Sequence, residues 1–147
     1  MIYAVIDTNV LVSALLSKRL DSATVKVVKA LLSSRLVPVY NEEILSEYSD
    51  VLYREKFNFS HHLVDYFIRT IRRLGISSAR VYSNETFPDP KDVVFYEVAL
   101  SKEDAYLVTG NTKHFPSTPI VVTPAEMVEI LEQGQRKGRD AGENFLK

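Results

Sequence analysis

The stretch IYAVIDTNVLVSALL, Ile2 to Leu16, decides how the rest of the chain is read. Its first five residues are apolar and largely β-branched, the composition of a short strand buried on both faces. Asp7 then breaks the run, and Thr8 and Asn9 follow it. Val10 to Leu16 is again apolar and predicts a helix. An acid wedged between a buried strand and a helix lies at the strand's carboxyl end. In open parallel sheets that is where ligands bind.

The same alternation continues outward from this stretch. A second helix is expected from Asp21 or Ser22 to about Ser34, with Val27, Val28, Leu31 and Leu32 at helical spacing. LVPVY, Leu36 to Tyr40, is a second strand. Asn41 is placed to cap the next helix, whose stripe is Ile44, Leu45, Tyr48, Val51 and Leu52. Ser60 is placed to cap another, carrying Leu63, Val64, Phe67, Ile68, Ile71 and Leu74, with Gly75 as its stop. ARVY, Ala79 to Tyr82, reads as an edge strand, and SNETFPDP, Ser83 to Pro90, as a loop. Asp89-Pro90 opens a helix to about Leu100, with Pro90 at its favoured first position. Ala105 to Val108 and Pro119 to Val122 complete the strands, and Thr123 caps a last helix. Strands alternating with helices imply a parallel sheet covered on both faces. The domain is expected over residues 1–132, with 133–147 a flexible, charged tail.

Composition narrows the function classes. The chain has 147 residues, 46% hydrophobic and 25% charged, which suits one soluble domain. It has no cysteine, so disulfides and thiolate metal sites are excluded. This fits a reducing, cytoplasmic setting. The opening residues have neither the basic region nor the cleavage site of a signal peptide. No run approaches the ~20 apolar residues of a membrane span. A net charge of −1 gives no overall basic footprint, so nucleic-acid contact would need a local patch.

Each acid has two readings. Asp7 can cap the helix after it, or serve a site together with Thr8 and Asn9. Glu47 sits at the margin of its helix's apolar stripe and by periodicity alone reads as a solvated acid. Asp89 suits the cap of the later helix. Asp92 falls in its first turn, where an acid complements the helix dipole, yet that turn can reach the same sheet edge. Asp104 precedes a strand and belongs at the opposite edge. Several acids at one edge repel one another unless a hard cation such as Mg²⁺ or Mn²⁺ joins them, a combination suited to phosphodiester hydrolysis. His61, His62 and His114 read as surface residues. Arg69, Arg72 and Arg73 lie on the polar side of their helix, where such a run is usually a solvated face; the alternative is contact with an RNA backbone, which Lys18 and Arg19 could extend. No phosphate-binding glycine loop and no nucleophile elbow is present.

In series, VIDTNVLVSALLS, NEEILSEYSDVL, FPDPKDVVFYEVAL, AYLVTGNTKHFP and IVVTPAEMVEIL resemble the PIN-domain nucleases. The order is most similar to the toxins of prokaryotic toxin–antitoxin systems, akin to VapC-type toxins. The resemblance covers nearly all of residues 1–132. It implies a three-layer α/β/α fold with a parallel sheet of about five strands. It also implies a Mg²⁺- or Mn²⁺-dependent endoribonuclease leaving a 5′-phosphate and a 3′-hydroxyl. Carried over by position, Asp7, Glu47, Asp92 and Asn111 are the expected catalytic residues, and Asp7, Asp92 and Glu47 the metal ligands. Thr8, Asn9, Asp89, Thr109 and Lys113 support them. Asn111 departs from the family, since many members have an Asp there; Asn keeps an oxygen donor and loses the charge. A cognate antitoxin, RNA substrate and a homodimer are the implied partners. The alternative is a PIN-like domain that binds RNA or protein without turnover.

Two other folds place acids at strand ends. A phosphoacceptor receiver domain needs an Asp closing its central strand and a Lys after a later one, whereas LVPVY runs into Tyr40 and Asn41. A phosphatase of the haloacid dehalogenase type needs Asp-x-Asp, of which Asp7 and Asn9 supply half.

Overall fold

A computed structural model describes residues 1–134. At its centre is β1 (Ile2–Ile6), whose Ala4, Val5 and Ile6 are fully buried. It pairs in parallel with β2 (Leu36–Tyr40) on one side and β4 (Ala105–Val108) on the other. Two-residue strands close the edges, β3 (Ile76–Ser77) beside β2 and β5 (Val121–Val122) beside β4. The order is β3-β2-β1-β4-β5, all parallel. Helices cover both faces in a three-layer α/β/α arrangement: α1 (Thr8–Leu16), α2 (Ala23–Leu32), α3 (Glu42–Leu52), α4 (His61–Leu74), α5 (Val93–Ser101) and α6, residues 124–134. Among the described residues no helix is long and apolar enough to cross a membrane.

Local chemistry starts each helix where the sequence asks. The side chains of Ser22, Asn41 and Ser60 accept from Val25, Ile44 and Leu63, satisfying amides that a helix end leaves orphaned. Thr123 and Glu126 bond reciprocally, each side chain to the other's backbone N–H, as a capping box for α6. Helix α1 begins two residues earlier than expected, at Thr8. Asp89 caps a single 3-10 turn, Pro90–Asp92, before α5 proper begins.

The expected edge strand at Ala79–Tyr82 is absent, and the edge is Ile76–Ser77 instead. Gly75 lets the chain enter the sheet that early. A Cβ there would meet Pro38 O at 2.3 Å, so only glycine brings the end of α4 against β2. Past Ser78 the chain leaves the sheet because Arg80 turns to Glu97 and Glu43. Strand β5 is likewise shorter than the expected Pro119–Val122. Of the expected tail, residues 133–134 continue α6; the rest lies outside the described residues.

Candidate active site

Strand order reverses between β1 and β4, and the crevice outside their carboxyl ends is where such a sheet binds ligands. Asp7 follows β1 there and is buried. Its backbone N–H donates to Val108 O at 2.9 Å, which ties it to the end of β4. Asp7 occupies the N-cap position of α1, yet its carboxylate makes no capping bond. Its partner is Thr109, fully buried, whose Oγ1 donates to Asp7 Oδ2 at 2.8 Å. Burial raises the Asp7 pKa, against the opposing pull of that hydroxyl.

Glu47 reaches the same place from α3. Thr8 Oγ1 donates to Glu47 Oε2 at 2.5 Å, so the buried hydroxyl beside Asp7 aims the second carboxylate. Next to it, Tyr48 is buried and its hydroxyl donates to Ile6 O, locking α3 to the end of β1. Burial raises the Glu47 pKa, and the nearby charge of Asp7 adds to it.

Asp89 and Asp92 separate cleanly. Asp89 accepts from Lys91 N–H at 3.0 Å and is engaged as a cap. Asp92 makes no capping bond, and its Oδ2 is buried without a hydrogen-bond partner. His114 Nδ1 stands 3.5 Å from that oxygen and is not hydrogen-bonded to it. The Asp92 pKa is raised from 3.8 to about 6 by burial, with the charges of Asp7 and Asp89 adding.

Asp7, Thr8, Asn9, Glu47, Asp89 and Asp92 thus line one cleft of about 270 Å³. An orphaned carboxylate oxygen and mutually repelling acids suit a hard cation. Among the described residues no three acidic or histidine side chains already converge as a ligand set. Asp7, Glu47 and Asp92 are the carboxylates here that could contribute to such a site, and Mg²⁺ commonly uses only one or two together with waters.

Asn111 stands apart. It is exposed and does not line the cleft, and its side chain does not cap the 3-10 turn Thr112–His114 that it precedes. Its link to the site runs through the backbone, with its N–H donating to Thr109 Oγ1 at 3.0 Å. Lys113 is exposed nearby. The arginine face of α4 does not line the cleft either: Arg72 is paired with Glu42 at 2.6 Å. The cations that do line it are Arg54, Lys56 and Lys91, with Phe57 and Val51. Arg54, Lys56, Phe57 and Lys91 were not among the expected site residues, and Val51 was expected only as part of its helix's apolar stripe. Their available signal was REKF between two helices, and a lysine embedded among the acids of PDPKD.

One further group holds the site's helices in place. Glu97 on α5 is buried, and it accepts from Arg80 Nε at 2.6 Å and from Ser83 N–H at 2.5 Å. Arg80 also reaches Glu43 on α3 at 2.8 Å. This clamp joins the helix after Asp92 to the helix bearing Glu47.

No curated protein matches the chain. A family model described as PIN domain matches residues 3–113, from the first strand through the turn after β4.

Proposed function

The chain belongs to the PIN-domain family, whose members are generally nucleases, and on that premise we propose that it is a metal-dependent endoribonuclease. The observation that carries this reading is the buried, unpartnered Asp92 Oδ2 in one cleft with Asp7 and Glu47. A buried polar atom without a partner costs roughly 1–3 kcal/mol, a cost that a ligand there removes.

Asp7 and Asp92 would hold Mg²⁺ or Mn²⁺, and Glu47 would face the water bound to the ion. When bound, the ion would neutralise phosphate charge and make water more acidic. Thr109, by donating to Asp7 Oδ2, fixes the orientation of the carboxylate that would face the ion. Thr8 orients Glu47, whose raised pKa suits it to accept the proton of the water that attacks phosphorus. Lys91 and Arg54 line the cleft where the phosphate oxygens would lie, opposing the negative charge of the acids.

The likeness to VapC-type toxins supports a role as the toxin of a toxin–antitoxin pair in the cytoplasm, with an antitoxin covering this cleft. A second reading, a PIN-like binding domain without turnover, draws support from Asn111, which is uncharged and outside the cleft. The test is RNA cleavage with Mg²⁺ or Mn²⁺ by wild type, Asp7→Asn and Asp92→Asn. Metal-stimulated cleavage lost in both variants is expected. Cleavage equal to wild type in both overturns the assignment. RNA binding without metal-stimulated cleavage favours the second reading.

A further inference from the structure

Helices α3 and α4 are joined by a short segment that faces the acids. It makes one 3-10 turn, Glu55–Phe57, closed by Asn58 in the left-handed region at φ 53°. Phe57 N–H donates to Arg54 O and Asn58 N–H to Glu55 O, at 3.1 and 3.0 Å, so the segment has a defined shape. Arg54, Lys56 and Phe57 from this turn line the same cleft as Asp7, Glu47 and Asp92. The Phe57 ring is stacked on Phe59, with centroids 5.7 Å apart and planes 15° apart. Lys56 Nζ stands 5.1 Å from the centroid of Phe57. The ring is half-buried, while Arg54 and Lys56 are exposed.

Phe57 packs against the core, and its half-buried ring also borders the cleft among charged and polar groups. The ammonium beside its face shows that a group on a flexible stem reaches the ring. A flat base can occupy such a face, and the displaced Lys56 is then free to meet a phosphate. An aromatic platform flanked by cations is the combination that holds single strands. In a duplex the base faces are already stacked and out of reach.

We propose that Phe57, with Arg54 and Lys56, forms a nucleotide subsite that stacks one base of single-stranded RNA beside the scissile phosphate. The subsite rests on the RNA-cleavage reading for its position but has its own test. Binding is measured by fluorescence anisotropy with a labelled single-stranded oligoribonucleotide and with the same strand annealed into a duplex. The parent is Asp92→Asn, to prevent cleavage. Phe57→Leu keeps an apolar side chain and removes the π face, and it is expected to weaken single-strand binding about tenfold. Phe57→Trp is expected to retain or strengthen it. Lys56→Ala should flatten the slope of log affinity against log salt by about 0.7, while Phe57→Leu leaves that slope unchanged.

Unchanged affinity in Phe57→Leu overturns the subsite, as does equal affinity for duplex, or no binding by the parent at all. Weakening in both Phe57→Leu and Phe57→Trp marks the ring as packing and also overturns it. An active nuclease whose RNA affinity ignores Phe57 loses only the subsite. A protein whose binding depends on Phe57 but which cuts nothing loses only the nuclease reading.

Discussion

Replacing Asp92 by Asn should abolish cleavage and, without metal, make the protein more stable. The reason lies in the environment of that carboxylate. Its pKa is raised from 3.8 to about 6, so at neutral pH the folded state carries a charge it holds less well than the unfolded chain does. At 1.36 kcal/mol per tenfold in proton affinity, this displacement sets a ceiling of about 3 kcal/mol. The group is 17% exposed and opens on the cleft, so solvent screens part of that; about 1–2 kcal/mol is expected. With a urea slope of about 2 kcal/mol per molar, the midpoint rises by roughly 0.5–1 M.

The sign with pH is fixed. A carboxyl whose folded pKa is raised costs stability above that value, near pH 6, and nothing once both states are protonated below 3.8. The advantage of Asp92→Asn should therefore be full at neutral pH, shrink as pH falls from about 6, and be small near 3.8. Adding Mg²⁺ should stabilise wild type more than the variant and narrow or reverse the gap, because an ion bound only by the folded state adds its binding free energy. Urea denaturation in chelator and in Mg²⁺, at neutral and acidic pH, checks all three. A variant no more stable than wild type in chelator at neutral pH would refute the reasoning. An advantage undiminished near the ordinary carboxylate value would do so too.

Other substitutions probe the supports. Glu97→Gln should lower stability by about 2–3 kcal/mol, since it weakens charge-assisted bonds to a buried carboxylate. The pKa of Glu97 is lowered chiefly by Arg80, so the difference from wild type should be present above 4.5 and disappear as pH falls through the lowered value; thermal melts across pH read this. Tyr48→Phe should cost about 1–2 kcal/mol by removing the donor to Ile6 O, measurable by chemical denaturation. Gly75→Ala should destabilise by about 2–3 kcal/mol because the new methyl meets backbone at Pro38 and Ile71, again read as a shifted denaturation midpoint. Arg72→Ala should leave RNA cleavage at the wild-type rate, because Arg72 is held by Glu42 away from the cleft.

How much was legible varied with the physics of each element. Strands β1, β2 and β4 coincide with apolar runs because a strand buried on both faces must be apolar throughout. Two-residue edges leave no such run. Val81 and Tyr82 have strand-forming side chains, but they are exposed, since Arg80 beside them is drawn to buried Glu97. Caps at Asn41, Ser60 and Thr123 were readable because capping needs only neighbours in sequence. Glu47 was ambiguous by periodicity, as its role depends on Thr8, 39 residues away. Asp89 and Asp92 could not be ranked from spacing either. What distinguishes them is a bond to Lys91 in one case and a missing partner in the other. The cleft's cations escaped notice because the path of the α3–α4 turn, not any local pattern, carries them to the acids.

The shortness of the outer strands also bears on how copies of this chain can associate. An edge that pairs through two residues exposes too little backbone to template another strand. Extending the sheet across two molecules would add few hydrogen bonds at either flank. Among the described residues, the helical faces offer a homodimer more surface than these edges do, and contact there would gain strength from buried apolar area rather than from backbone pairing. Changes at β3 or β5 would then alter such a pair less than surface mutations on the described helices.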